Sequence, residues 1–167
     1  ARSSSRSFIA SFGNPVTEDS KVNFAIQRIY LKDSSFESPK SPQGFRDQWK
    51  PKINLDLKSN HRLIEQNLYE VVVSLTVTAT AEKTDAILYL VQVEQAGIFL
   101  IQSVEEQARS QLLGSFCPNL LFPYAREVID SLITKGSFPP LMLSPVNFEA
   151  IYQQSLADKA RQEGKVQ

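Results

Sequence analysis

The stretch 68–81, LYEVVVSLTVTATA, decides the fold because it carries the clearest strand pattern in the chain. It is rich in valine and threonine, and apolar side chains alternate with polar ones, as in a strand that buries one face. One face carries Tyr69, Val71, Val73, Leu75 and Val77, and the other carries Glu70, Ser74, Thr76, Thr78 and Thr80. The pattern predicts a half-buried strand.

Strand patterns flank this segment on both sides. Upstream, residues 52–58 alternate and a polar turn follows at 59–62, while an earlier strand begins at Phe24. Downstream, a polar turn at 82–85 leads into a strand at 86–95. Because a parallel return needs a long crossover, strands joined by short turns are antiparallel. We therefore predict a four-stranded antiparallel sheet.

The strand pattern ends a few residues beyond a single glycine. Gly97 separates the strand from a short apolar run at 98–101, and a glycine inside a strand commonly marks a bulge or bend. Helical spacing then begins near Glu105, a residue type favoured at the positive end of the helix dipole. We expect this first helix to end at 117–118, where a proline follows a cysteine.

Two more helices are predicted in the last third of the chain. The second starts after Phe122 and ends at 135–136, a lysine followed by glycine. The third has Ser144 as its cap and Pro145 at its first position, and a polar tail begins at Asp158. Strands followed by helices predict an α+β fold, a four-stranded antiparallel sheet with helices packed on one side.

The length of 167 residues indicates one domain. We place this domain at 23–157, between flexible tails at 1–22 and 158–167. The first tail is rich in arginine and serine and poor in acidic residues, as organelle transit peptides are. A transit segment, and with it an organelle matrix, is therefore the alternative to a plain tail.

Charge and cysteine content narrow the class of partner and compartment. The 18 basic and 18 acidic residues balance, which argues against a nucleic-acid partner. No apolar run approaches the roughly 20 residues that span a bilayer, so we expect no membrane insertion. The single cysteine suits a reducing compartment, and we predict a cytoplasmic protein.

The sequence is poor in residues that carry catalysis. His61 is the only histidine and Cys117 the only cysteine, and no cluster of either type has metal-ligand spacing. The six glycines form no phosphate-binding motif. We therefore predict no enzyme activity, no metal and no cofactor.

Residues 34–51 are predicted to form a long loop, since three prolines and one glycine interrupt any strand pattern there. This loop also carries Phe36, Phe45 and the only tryptophan, Trp49. Long loops in compact domains are usually functional or disordered, and three large aromatic side chains favour a function.

Several segments, in order along residues 24–156, resemble the SecB family of protein-export chaperones. The one around the second helix is CPNLLFPYARE at 117–127, and FP at 138–139 and LSPVNF at 143–148 follow it. Upstream matches are IQRIY at 26–30, KD at 32–33, SFE at 35–37, WKP at 49–51, LYEVV at 68–72 and QAGIF at 95–99. Many matches in order make the resemblance specific.

The resemblance implies a cytosolic holdase that binds unfolded precursor proteins, keeps them translocation-competent and passes them to the SecA motor ATPase. It also implies a homotetramer built as a dimer of dimers. A client groove is implied between the loop and the last helix, and we predict Phe45, Trp49, Phe148 and Tyr152 to line it. The alternative is that these aromatic side chains only fix the loop to the body.

Two further surfaces follow from the resemblance alone. The motor-binding surface of the family is acidic, and Asp33 and Glu37 match two of its positions. Leu90 matches an apolar member of that surface, and Gln92 occupies a position where the family commonly has a glutamate. The residues matching positions linked to assembly or client binding are Val91, Val93 and Gln95. Plain sheet packing is an equal alternative for these three.

Two other functions remain open at this stage. The same fold could serve one specific partner, such as a labile antitoxin. An enzyme or a small-ligand carrier that uses the aromatic groove is the alternative from another class, and the missing catalytic residues argue against it.

Overall fold

The computed structural model describes residues 23–164. Four strands come first and helices follow, as the sequence pattern predicts. The strands are β1 (Asn23–Glu37), β2 (Pro51–Glu65), β3 (Leu68–Ala81) and β4 (Ile87–Gln102). The helical part comprises α1 (Glu106–Gln111), a π-helical turn (Leu112–Phe116), α2 (Cys117–Lys135) and α3 (Phe148–Glu163).

The strands form one antiparallel sheet in the order β1-β4-β3-β2. This confirms the predicted α+β fold. The inner face of the sheet is the one that α2 covers, and its central side chains, such as Val73 and Val91, are almost fully buried. Helix α2 meets them with Leu121, Ala125 and Ile129, which recur every four residues on one helical face. The core therefore lies between α2 and strands β3 and β4.

Strand β2 is longer than the sequence indicates. The polar turn predicted at 59–62 is wrong, because β2 continues to Glu65 and the chain reverses at residues 66–67. Asn67 takes a left-handed φ of 65°, a conformation that asparagine tolerates in tight turns. The polar residues at 59–62 are compatible with a strand here because β2 is an edge strand whose residues are largely exposed.

Gly97 lies inside a continuous strand, so the predicted interruption of β4 is wrong. The register shifts of the β1–β4 pair fall on β1, between Ile26 and Arg28 and between Leu31 and Asp33. A Cβ atom at position 97 would lie 2.8 Å from the Phe99 ring and 3.0 Å from the Leu121 side chain. Glycine is needed there because core side chains approach the backbone closely.

The expected helix end at 117–118 is also wrong, because the helical backbone continues from α1 through the π-helical turn into α2. Pro118 falls in the first turn of α2, where a missing donor costs little, and Pro123 lies within the helix instead of at its start. A π-helical turn accommodates one additional residue without breaking the helix.

The remaining boundaries differ by a few residues. Strand β1 continues to Glu37, so the aromatic loop spans 38–50 and contains a short 3-10 helix at Gln43–Arg46. The side chain of Asn147, and not that of Ser144, caps α3 by accepting a hydrogen bond from the Ala150 N–H. Helix α3 extends to Glu163, past the end that we expected at 157. The predicted tail at 1–22 lies outside the described residues.

Candidate functional site

Five aromatic side chains form a cluster at the end of the sheet that faces the loop. This loop cluster consists of Phe36, Phe45, Trp49, Tyr89 and Phe138. Phe138 is buried at its centre, with its ring centroid 5.0 Å from that of Tyr89, 5.3 Å from that of Phe45 and 5.5 Å from that of Trp49. Phe45 and Trp49 remain 49% and 39% exposed, so the cluster presents rings to solvent.

The end of α2 places Phe138 in this cluster. Gly136 closes the helix, and a Cβ atom there would overlap the Phe36 ring, so only glycine allows β1 to approach this closely. Ser137 then takes a left-handed φ of 65° and turns the chain back. The Asp130 carboxylate accepts hydrogen bonds from the backbone N–H groups of Leu141 and Met142 and holds the returning segment against α2.

Phe148 and Tyr152 lie in a different place. Phe148 is buried and packs edge to face on Phe122, with ring centroids 5.7 Å apart. Tyr152 of α3 packs against the π-helical turn, since a Cβ atom at Gly114 would be 2.5 Å from the Tyr152 ring. These residues share no ring contact with the loop cluster.

The structure therefore does not bring the four predicted groove residues into one cluster. The segment after Phe138 runs back along α2, since the Leu141 N–H donates a hydrogen bond to Asp130 and the Leu143 carbonyl accepts one from Arg126. Helix α3 then begins with Phe148, which packs on Phe122. Phe122 and the helix end at Lys135 are separated by about 20 Å at 1.5 Å per residue. Phe45 and Trp49 are brought together, Phe148 is a core residue that anchors α3, and Tyr152 is a partly exposed contact between α3 and the body.

The inner face of β2 adds apolar surface that the sequence reasoning did not assign to a site. Ile53 and Leu55 point to the same side as the buried face of β3 but are 38% and 39% exposed, because α2 covers β3 and β4 and not this edge. The alternation at 52–58 indicated their direction. Only the packing of the helix shows that they stay uncovered.

A cavity of about 590 Å³ opens between α1, the π-helical turn and the start of α3. Its walls are mainly apolar and include Val104, Leu112, Phe116, Val146 and Phe148. Together with the loop cluster and the β2 edge, it gives the helix side of the protein three apolar surfaces. Such surfaces favour contacts with apolar side chains, because burying them removes apolar area from water.

The predicted motor-binding residues lie together on the opposite, helix-free face of the sheet. In the β1–β4 register, Glu37 is opposite Leu90 and Ser35 is opposite Gln92. Asp33 is opposite Glu94, a residue that the sequence reasoning did not single out. Strand alternation directs these side chains outward, while Val91 and Val93 between them point inward.

Val91, Val93 and Gln95, which we predicted for assembly or client binding, are buried on the inner face. Val91 and Val93 belong to the core beneath α2. Their positions agree with the plain-sheet-packing alternative.

A polar clamp lies beside the predicted motor-binding residues on the outer face. The clamp is the buried carboxylate of Glu70 with its three donors: the hydroxyl of Tyr30, the ammonium of Lys32 at 2.9 Å and the guanidinium of Arg62 at 2.6 Å. These hydrogen bonds, that of Tyr30 first, lower the pKa of Glu70 to about 2. Burial, then the hydrogen bond to Glu70, raises the pKa of Tyr30 to about 12. The clamp joins β1 and β2, the two edge strands, to the central β3.

The two residues singled out for catalytic potential, Cys117 and His61, lie on different elements, α2 and β2. Cys117 is fully buried, and burial raises the pKa of its thiol to about 12, so the thiol stays protonated at neutral pH. His61 lies on the edge strand β2 opposite Val71. Within residues 23–164, no group of three histidine, cysteine or acidic side chains could hold a metal ion. No helix in the same range is long and apolar enough to cross a bilayer.

Comparison with known proteins gives consistent matches. Residues 17–159 match the family model described as preprotein translocase subunit SecB. The chain is 56% identical over 136 residues to the protein-export protein SecB of Marinobacter nauticus, covering 81% of each chain. It is 52% identical over 144 residues to that of Pseudomonas fluorescens, covering 86% of this chain and 89% of that one.

A solved structure has the same fold. It is a SecB-like chaperone of Mycobacterium tuberculosis in complex with a ChAD peptide from the HigA1 antitoxin. The TM-score is 0.60 at 17% identity, and the match covers 74% of this chain and 90% of that one.

The sheet with a polar outer face and the exposed apolar surfaces on its helix side define a chaperone-type α+β protein. The family match and the identities over most of the chain place it further: the chain belongs to the SecB family. Its functional class is therefore that of a protein-export chaperone.

Proposed function

We propose that this chain is a holdase that binds unfolded precursor proteins, keeps them translocation-competent and delivers them to the SecA export motor. It works in the cytoplasm, as a homotetramer built from two dimers, without enzyme activity of its own. The single observation that carries the holdase role is the partial exposure of Phe45 and Trp49 around the buried Phe138. Exposed rings held in fixed positions can bind apolar side chains of any sequence.

Client contacts begin at the loop cluster and continue along the β2 edge. Ile53 and Leu55 offer a strip of exposed apolar side chains on an edge strand, which can accept an extended chain. Tyr152 of α3 packs against the π-helical turn, at the other end of α2 from the loop cluster, and supplies a second contact region. Phe148 contributes by anchoring α3, since its ring is buried. Apolar burial without a hydrogen-bond code gives broad client selectivity.

The proposed absence of enzyme activity rests on the state of the candidate nucleophile. A catalytic cysteine needs a thiolate, which a lowered pKa provides, and burial of Cys117 has the opposite effect. Catalysis also needs a base within hydrogen-bond reach, and no hydrogen bond joins the Cys117 thiol to a side chain in residues 23–164.

The test is a refolding assay with a slow-folding client. The purified chain delays refolding at about one tetramer per client, and the double variant Phe45→Ser/Trp49→Ser loses at least half of this delay. Leu31→Ser is the matched control, because Leu31 is 46% exposed but lies on β1, the edge strand on the other side of the sheet from β2. An undiminished delay in the double variant would contradict the assigned client surface. No delay by the wild-type chain at any ratio would contradict the holdase function.

Assembly and delivery need separate measurements. Light scattering after size-exclusion chromatography gives a mass of four chains, alone and with an unfolded client, if the tetramer is correct. A monomer at micromolar concentration would refute the assembly. Direct binding to purified SecA tests delivery. If the chain delays client refolding but does not bind SecA, the holdase function stands and the delivery step is refuted.

A chaperone dedicated to one partner is the second candidate. The observation that favours it is the structural neighbour, which is seen in complex with an antitoxin peptide. Capture of client proteins from a lysate, followed by mass spectrometry, distinguishes the two. Many unrelated precursors support the export role, and one dominant partner supports the dedicated role.

A further inference from the structure

The outer face of the sheet carries two carboxylates directly opposite each other. Asp33 of β1 pairs in register with Glu94 of β4. A β-bulge at Lys32 precedes this pair and places Lys32 and Asp33 on the same outward side, so Asp33 faces the strand position of Glu94 and not a residue next to it.

The pair lacks a compensating cation within the described part of the chain. The ion pairs of residues 23–164 involve neither Asp33, Glu37 nor Glu94. Two basic side chains on this face, Lys32 and Arg62, are bound to the buried carboxylate of Glu70. Lys58, which lies across Ser74 from Glu94 in the strand register, forms an ion pair with Asp56. Like charges directly opposite on neighbouring strands destabilise a sheet, so this arrangement lowers the stability of the free protein.

The pair adjoins the face proposed for the motor. Successive outward positions of β4 are Leu90, Gln92 and Glu94. Leu90 is opposite Glu37 and is partly buried, which leaves an apolar position flanked by Glu37 on one side and by the Asp33–Glu94 pair on the other. Gln92 in the middle has no charge. A partner that fits this face presents an apolar side chain with basic side chains beside it.

We propose that Glu94 is a specificity-determining residue of the motor-binding face. Together with Asp33 it binds a basic side chain of the SecA motor. Glu94 is the next outward position of β4 after Gln92, and it supplies the negative charge that Gln92 lacks. This inference rests on the proposed function, because the partner is the one named there. The incoming cation removes the repulsion between the two carboxylates, so part of the stability lost in the free protein returns as binding free energy.

The experiment compares Glu94→Gln with the wild-type chain by calorimetric titration against purified SecA at low and high salt. The substitution raises Kd about fivefold at low salt, the upper range for one exposed ion pair, and the difference shrinks at high salt. Glu65→Gln, which removes an exposed carboxylate from the other edge strand, leaves Kd unchanged. Thermal unfolding is the second readout, since relief of repulsion leaves the Tm of Glu94→Gln equal to or above that of the wild type.

Each outcome decides between the inference and the function beneath it. Binding by the wild type with less than a twofold change in Glu94→Gln refutes the role of Glu94 and leaves the motor partnership intact. A lower Tm in Glu94→Gln refutes the inference as well, because it shows a structural role. Absence of wild-type binding refutes both the inference and the delivery step, while the refolding assay independently reports the holdase role.

Discussion

Replacement of Glu70 tests whether the polar clamp on the outer face stabilises the fold through an ionised carboxylate. Its side chain is only 4% exposed, and Tyr30, Lys32 and Arg62 all donate hydrogen bonds to it. Glu70→Gln keeps the size and most of the shape of the side chain but removes its charge. The clamp then loses its two ion pairs, with Lys32 and Arg62, while the Tyr30 hydroxyl can still donate to the amide oxygen.

The expected loss can be worked out from the pKa of the carboxyl group. One pKa unit corresponds to about 1.36 kcal/mol, so a pKa held at about 2 in place of 4.5 sets a ceiling of about 3 kcal/mol on the stabilisation of the folded state. Lys32 and Arg62 are 38% and 67% exposed, and water screens their interaction with Glu70. We therefore expect Glu70→Gln to lower the free energy of unfolding by about 1–2 kcal/mol at neutral pH.

The pH dependence has a definite sign. The pKa of Glu70 is lower in the folded state, so its stabilisation is complete above pH 4.5 and is lost as the pH falls toward 2. The wild type loses this stabilisation on acidification, whereas the glutamine variant has none to lose. The difference between the two proteins therefore narrows, and at pH 3 it is less than half of its value at pH 7.

Urea unfolding followed by circular dichroism at pH 7, 5 and 3 measures this difference. All samples have the same chain concentration, because assembly couples stability to concentration. Glu65→Gln, an exposed carboxylate near the same hairpin, is the control and changes the free energy of unfolding by less than about 0.5 kcal/mol. A difference for Glu70→Gln that stays constant from pH 7 to pH 3 would refute the assignment of the stabilisation to the ionised carboxylate.

Two substitutions and one measurement on the unaltered protein test the core and the loop cluster. Gly97→Ala forces a methyl group toward the Phe99 ring and lowers the free energy of unfolding by about 1–3 kcal/mol in urea titrations; a neutral effect would show that the strand can shift. The buried Cys117 thiol does not react with a chromogenic disulfide reagent at pH 8 until denaturant is added, and rapid reaction of the native protein would contradict its burial. Phe138→Ala removes the ring beside Trp49 and costs about 3 kcal/mol, and the only tryptophan emission shifts to longer wavelength; an unchanged spectrum would argue against the cluster.

The fold was accessible from the sequence because its main strands alternate clearly and its turns are short. The pattern at 68–81 gives the bounds of β3, and the helices follow from apolar spacing. The errors share one physical origin: a local polar, glycine or proline signal predicts the end of a strand or helix, but the tertiary context allows the element to continue. The polar residues at 59–62 are stable on an exposed edge strand, Gly97 accommodates core side chains, and the helix passes residues 117–118 through a π-helical turn.

The site was less predictable because it depends on distances between remote segments. Aromatic composition indicated that Phe45 and Trp49 lie on an exposed loop surface, and the structure places them together. It could not show that Phe148 docks on Phe122 at a distance along α2, since the path of residues 139–147 has no periodic pattern. The proposal for Glu94 depends on the strand register, which pairs it with Asp33 and which no local sequence pattern indicates.

The number of residues in the π-helical turn affects the direction of the C-terminal helix α3. Each residue of an α-helix advances the chain by 100° around the axis, so an insertion or deletion of one residue within Leu112–Phe116 would rotate α1 relative to α2 by about that angle. Gly114 would then no longer face Tyr152, and α3 would lose this packing contact. The number of residues in the π-helical turn therefore sets the direction of α3 relative to α2. In homologues with one residue more or fewer in this turn, we expect α3 to have a different direction.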